Sequence, residues 1–444
     1  MNCLEVSMLL LLVLHVYIVP VALVHGQHIR PKPNQASETR ADETVYFLDT
    51  SGLDDAGTDF YHFARLDMQL LEDLPTWNFI NFHTTDDHFY GETDDGMTAC
   101  HLMRHSSSST RSTRNDKLLG MVSDRENNIW YEIKPDLHGD VLVTATFEGD
   151  IPPSAKDNAH ISQAQSLWNN LRSTWSYLRD LPWTLRLDPA KEQVIDIMII
   201  WSENSECYRS FQHVDCTLTE DTRDNMLASS EFVIATTNFA LAKSDTSTVF
   251  NLAHAQRDTS GYREADTTQI LTDMGVPFFG QLSYLHPLRD EHKADLVSFI
   301  YDNRIMVEQG IGGRALLPIP PGLPLAPFMA WSTYCVACLG GGYIPAHEYG
   351  HNLGCFHDRG TTDACDDNKN ANYGYRSPTG TFRTIMAYSC VPGECDDYQL
   401  DRVCSVIPYF SGPASYQNGE VMGGEENNCR ERIRLDKRTV SRFR

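Results

Sequence analysis

Residues 347–358 read His347-Glu348-Tyr349-Gly350-His351-Asn352-Leu353-Gly354-Cys355-Phe356-His357-Asp358. His347 and His351 are spaced so that a helix puts both imidazoles on one face, one turn apart. Both can then reach one Zn²⁺ at about 2.0–2.1 Å. Gly354 tolerates positive φ, so the helix can stop there and the chain can turn. The turn brings His357 round as a third ligand. Three protein ligands leave a coordination position for water, the pattern of a catalytic rather than a structural zinc site. Glu348 lies between the first two ligands and is placed to act as general base on that water. A surface helix that merely carries histidines has no need of the glycine or of the third histidine.

Downstream, Thr384-Ile385-Met386-Ala387-Tyr388 supplies a methionine in an apolar run. The extended motif followed by such a Met turn resembles the metzincin metallopeptidases, and the resemblance implies that Met386 packs beneath the metal without ligating it. His-Asn-Leu-Gly followed by His-Asp is similar to the adamalysin, or reprolysin, branch. So are Arg359-Gly360, the later Ile407-Pro408-Tyr409-Phe410-Ser411 and the upstream Lys293-Ala294-Asp295-Leu296-Val297-Ser298-Phe299-Ile300. Tyr388 departs from that branch, which usually has proline there. It is instead as in the astacin- and serralysin-like members, where the tyrosine approaches the metal or the substrate oxyanion. The chain therefore resembles a reprolysin-like metzincin over roughly residues 190–444. The resemblance implies a secreted zinc endopeptidase that hydrolyses peptide bonds with a zinc-activated water and Glu348 as base, and that takes a protein or peptide substrate. Asp358 is implied to make structural hydrogen bonds. Two other readings share the motif: a non-catalytic binding protein on the same scaffold, and a zinc hydrolase of non-peptide bonds.

The net charge of −24 argues against nucleic acid and against an anionic membrane surface as partners. The 41 % of hydrophobic residues suffices for a sizeable core. Met8 to Val24 is an apolar run with Val24 and Gly26 at signal-cleavage positions, so residues 1–26 read as a secretory signal peptide. An uncleaved signal anchor is the rival, since the leader carries Glu5 and no Lys or Arg. Ten of the 12 cysteines lie between Cys207 and Cys429, as expected of a disulfide-bonded secreted enzyme. Cys207 and Cys216 bracket a short loop as plausible partners. Cys335 and Cys338 read as a structural pair, since no thioredoxin-like pattern surrounds them. Cys390, Cys395 and Cys404 sit beside the Met turn, and the connectivity stays open.

Cys100 is the cysteine left over. Metzincin zymogens are often held latent by a propeptide thiolate on the zinc, which makes Cys100 a candidate switch. Its surround, Asp95-Gly96-Met97-Thr98-Ala99-Cys100, lacks the Pro-x-x-Cys-Gly type of context, so a buried thiol packed as a small hydrophobe is the competing reading.

Residues 27–190 read as β-rich, and the layout resembles a reprolysin propeptide. Leu118–Val122 and Ile129–Ile133 make a hairpin, Val141–Phe147 is a further strand, and a serine-rich loop ends at Arg111-Ser112-Thr113-Arg114. A connector at 151–190 holds a helical stretch around Ala164–Tyr177. Val194-Ile195-Asp196-Ile197-Met198-Ile199-Ile200-Trp201 suits a strand buried on both faces and opens a catalytic domain spanning 191–444. Phe232–Ala242 reads as a helix and Val249–His254 as the next strand, and the metzincin resemblance implies that Gly312–Leu317 is the edge strand that binds extended substrate. The expected fold is α/β: a twisted, mostly parallel sheet with a zinc helix and an irregular C-terminal subdomain, behind the β-rich propeptide. Asp363, Asp366 and Asp367 could hold Ca²⁺, but their spacing fits no defined loop and a solvated acidic turn explains them better. His286 and His292 lie outside any ligand spacing and read as surface residues.

Overall fold

The computed structural model describes strands within residues 27–49 and most of residues 65–147 and 191–443. The signal segment 1–26, the loop around Arg111 and Arg114, the connector 151–190, the prolines of 318–328, the acidic turn at 363–369 and Cys395 lie outside the described residues.

Two sheets organise the chain. The first comprises β1 (Gln27–Pro31), β2 (Glu38–Arg40), β3 (Glu43–Asp49), β4 (Arg65–Met68), β5 (Trp77–Thr84), β6 (His88–Glu92), β7 (Thr98–Ser106), β8 (Asp116–Asp124), β9 (Ile129–Pro135) and β10 (Val141–Phe147). From β4 to β10 the strands meander antiparallel, and β1 pairs with both β4 and β3, so the sheet closes on itself with the short β2 left at the side of β3. The expected hairpin is β8–β9, in register from Asp124↔Ile129 to Gly120↔Ile133.

Side chains alternate along each strand, so each strand has two faces. Leu102, Val122, Tyr131, Ile133 and Val143 fill this sheet's own core together with Cys100. The residues between them face the other way: Met103, Leu119, Met121 and Trp130 join the core of the second unit. Both faces of β7–β9 are therefore buried, one against itself and one against the rest of the chain.

The second sheet has the order β12-β11-β13-β15-β14, with β11 (Gln193–Trp201), β12 (Thr248–Arg257), β13 (Leu296–Tyr301), β14 (Gly313–Ala315) and β15 (Trp331–Cys335). All of its pairings are parallel except the last, where β14 runs antiparallel to β15 at the edge. Ile197–Trp201 are fully buried between β12 and β13, which is why the sequence there is almost unbroken aliphatic.

The helices are α1 (Glu203–Arg209), α2 (Glu220–Lys243), α3 (Thr267–Gly275), α4 (Leu285–His292), α5 (Ile344–Asn352) and α6 (Cys429–Val440). Helix α2 begins well before the expected Phe232, at a capping box between Thr219 and Thr222. Its polar first half is hidden because Ser229 and Ser230 donate back to the carbonyls of Asn225 and Met226, at 2.7 and 2.8 Å. The architecture is a mixed α/β fold. Among the described residues, no helix is long and apolar enough to cross a membrane.

Disulfides join Cys207 to Cys216, Cys335 to Cys338 and Cys390 to Cys404.

Candidate metal centre

Helix α5 starts sharply. Gly342 and Tyr343 both have positive φ, +67° and +54°, and Pro345 stands in the first turn, where its missing N–H costs nothing. The helix ends as sharply. Gly354 takes φ +87°, its N–H donates to the His351 carbonyl, and the Cys355 N–H donates to the Gly350 carbonyl, both at 2.9 Å. This is a Schellman closure. It turns the chain at once into β16 (Phe356–Asp358), which carries His357.

The turn brings the histidines together. One ring nitrogen from each of His347, His351 and His357 lies within 4.8 Å of the others, and the three residues are 4, 3 and 2 % exposed. His347 Nδ1 is 2.7 Å from the Ile385 carbonyl and His351 Nδ1 is 2.9 Å from the Cys355 carbonyl. A carbonyl only accepts, so each Nδ1 carries the proton and each Nε2 presents its lone pair. His351 Nε2 meets His357 Nε2 at 2.9 Å.

The electrostatics suit ligation. Burial, followed by the charge of His351, pushes His347 well below the ordinary 6.5. Burial and then His351 and His347 do the same to His357, and burial takes His351 down to about 4. Neutral imidazoles at neutral pH are what a divalent ion such as Zn²⁺ requires. Three buried imidazoles sharing one point, with second nitrogens fixed by carbonyls, form a donor set that fits a metal ion.

The other residues singled out in sequence fall around this cluster. Glu348 is fully buried, one position after the first ligand. Its side chain lies against the backbone of Gly313 in β14, where an added Cβ would come within 2.7 Å of Glu348 Cγ and 2.8 Å of Cδ. Only glycine lets the edge strand approach the glutamate this closely. Met386 is fully buried beneath Gly350, where an added Cβ would lie 3.3 Å from Met386 Cε and 2.9 Å from Phe410. The ring of Tyr388 stands 4.6 Å from that of His357 and 6.4 Å from that of His347.

Asp358 ties these parts together. It accepts from the Tyr388 N–H at 2.9 Å and the Thr361 N–H at 3.0 Å, and it pairs with Arg376 at 2.6 Å. It therefore lashes the strand of the third histidine to the turn of Met386.

Asn352 has an anchoring role that its place in the motif does not reveal. Its amide donates to the carbonyls of Leu316, at 2.8 Å, and Trp331, at 3.2 Å. The end of α5 is thereby fixed to the edge of the sheet. Asn352 is fully buried, and the three carbonyl-bound contacts of its amide are what make that burial tolerable. Tyr349 is similarly anchored to Ser298, at 3.0 Å, and Tyr334, at 3.2 Å.

Cys100 lies elsewhere. It is fully buried in the apolar core of the first sheet, and burial pushes its thiol well above the ordinary range. His286 and His292, expected at the surface, are half-buried. The first bonds the Met274 carbonyl at 2.8 Å, and the second stacks on His254 at 3.7 Å.

No family model matches the sequence. No curated protein matches it. Among solved structures, the chain is similar to one described as "Structure of a chaperone-substrate complex", with a TM-score of 0.40 and 16 % identity over 57 % of this chain. The chain spans only 39 % of the length of that one, and a likeness at this level carries no inference about fold or activity.

Proposed function

We propose that the protein is a secreted zinc endopeptidase of reprolysin-like metzincin type, made as a latent precursor. The observation that carries this reading is the convergence of His347, His351 and His357 on one point, with Glu348 of the same helix buried against the edge strand β14. His347, His351 and His357 would hold the ion. Bound there, Zn²⁺ would supply Lewis acidity towards water and the scissile carbonyl.

The chain's own residues do the rest. Glu348 takes the proton of the attacking water and passes it to the leaving amine. The carbonyls of Ile385 and Cys355 hold His347 and His351 in the ligating tautomer. Strand β14 lies at the sheet edge and offers its outer backbone to an extended peptide, with Gly313 setting that backbone against Glu348. Tyr388 donates its hydroxyl to the developing oxyanion.

Latency is assigned to residues 27–190, with 1–26 as the secretion signal. The first sheet grips the segment that launches α5: Trp130 packs edge-on to Tyr343 at 5.6 Å, and Glu132 sits over Gly340. A Cys100 switch would require that thiol to leave its own core.

Casein digestion tests the reading. A form cut in the 151–190 connector should cleave casein, lose that activity to a zinc chelator and regain it with added Zn²⁺, while the uncut chain is less active. A metal-loaded, cut form that binds casein without cleaving it would identify a binding protein on this scaffold. Turnover of ester but not peptide substrates would identify a different hydrolase.

A further inference from the structure

Three segments meet behind the metal centre, and each is anchored to the others. The turn at 354–356 bonds the residue just ahead of the short strand Tyr373–Gly374: the Phe356 N–H donates to the Asn372 carbonyl at 2.7 Å, and the Asn372 side chain donates to the Gly354 carbonyl. Helix α6 starts alongside, with the Cys429 N–H on Ser411 Oγ at 3.1 Å and Cys429 Sγ 3.2 Å from the Asn372 carbonyl. Arg432 and Asp436 of α6 lie directly under Gly354.

At this junction stand two cysteines that neither the described disulfides nor the proposed chemistry uses. Cys355 and Cys429 are both fully buried thiols. Cys355 Sγ is 3.7 Å from the Cys429 carbonyl, which makes the two side chains neighbours. The remaining thiol of the described residues, Cys100, belongs to the core of the other sheet.

We propose that Cys355 and Cys429 are joined as a disulfide in the secreted protein, and that this bridge clamps the joint between the second and third metal ligands to the C-terminal helix. Cys355 is that joint: its N–H closes α5 on Gly350, and its carbonyl orients His351. The bridge forms by thiol–disulfide exchange with a small-molecule or protein disulfide of an oxidising compartment. One Sγ–Sγ bond forms, the reagent's S–S bond breaks, and the two protons and two electrons of the cysteine thiols leave with the reagent as two thiols. A cross-link between residues 74 apart removes freedom from the unfolded chain and fixes the Cys355 carbonyl that holds His351. The proposal rests on the secretion reading, because a reducing compartment would leave the thiols apart.

Disulfide mapping of the full chain, recovered from the medium of secreting cells, is the test. Thiols are alkylated in acid denaturant, and the protein is digested without reductant and analysed by mass spectrometry. The expected result is a linked Cys355–Cys429 peptide with neither cysteine alkylated. Alkylated Cys355 and Cys429 beside intact Cys207–Cys216 and Cys390–Cys404 bridges would overturn the proposal and leave secretion standing. If all of these bridges were reduced, the secretion reading itself would fall, and the proposal with it. A second measurement addresses the clamp. The Cys355→Ser/Cys429→Ser double variant should release zinc to a chelating dye roughly tenfold faster. It should also melt roughly 5–10 °C lower. Mild reductant should move the wild type towards these values and leave the variant unchanged. Equal zinc release and melting in the variant and the oxidised wild type would contradict the clamp.

Discussion

The first sheet and the second bury apolar residues by different rules. The first is antiparallel and closed, with one face of β7–β9 turned into its own core and the other onto the rest of the chain. The second is parallel apart from its edge, has β13 and β15 buried on both faces, and ends at β14 beside Glu348. Among the described residues, the one cluster of groups able to hold a metal belongs to the second unit. What the first contributes is a docking face. Glu132 pairs with Arg209 and Lys134, His105 bridges to Glu231 and Asp224 of α2, and Trp130 meets Tyr343 at the start of the metal-bearing helix. One region carries the candidate metal centre and the other holds its neighbour.

That division can be broken most severely at the ligands. His357→Ala should lose stoichiometric zinc while both sheets stay folded, because two histidines do not make a catalytic site. Metal analysis showing full occupancy and unchanged affinity would remove His357 from the ligand set.

Next in size is the docking face. Burial alone would raise the Glu132 pKa, but the charges of Arg209 and then Lys134 outweigh it and hold the carboxyl below its usual range. Glu132→Gln leaves Arg209 with a buried, unmatched charge, at a cost of about 3 kcal/mol. The urea midpoint of the full chain should fall accordingly. An unchanged midpoint would mean that the sheet is not held there.

Tyr388→Phe should lower kcat by about tenfold and change KM less, since a hydroxyl aimed at the oxyanion acts in the transition state. Unchanged kcat would leave Tyr388 as packing against His357.

The smallest effect is expected at His105. Burial alone would lower its pKa, but hydrogen bonds and charge from Glu231 and then Asp224 outweigh this and hold it above the ordinary 6.5. The folded state binds this proton more tightly than the unfolded one. The stabilisation is therefore complete below pH 6.5 and is lost as pH rises through the raised folded value. His105→Gln should flatten the decline in stability from about pH 6.5 upward, read as thermal midpoints across pH 5.5–8.5. A slope identical to wild type would assign the pH dependence elsewhere.

Much of the metal centre was legible because it is local. The spacing of His347, Glu348, His351, Gly354 and His357 encodes a helix, its stop and a return within a dozen residues. The buried strand at Val194–Trp201 was legible because a parallel central strand must be apolar on both sides. What stayed hidden depends on distant partners. Nothing in the alternation of Cys100, His101, Leu102 and Met103 says that one face meets α2, more than a hundred residues on. Gly313 reads as any glycine until Glu348 is set against it, and Asn352 as any polar helix residue until the carbonyls of Leu316 and Trp331 arrive. Cysteine connectivity is of the same kind, since spacing favoured Cys207–Cys216 but left Cys355 and Cys429 without a stated partner.

The proposal at the centre is that Glu348 takes the proton of a water that attacks the peptide bond at a metal site of three histidines. It is tested most directly by Glu348→Gln, with metal content and peptide turnover measured on the same connector-cut sample. The amide keeps the shape and leaves the three ligands in place, but it cannot accept the water proton. Zinc should remain stoichiometric while kcat falls by about 10²–10⁴-fold. Near wild-type turnover by the zinc-loaded variant would contradict the account.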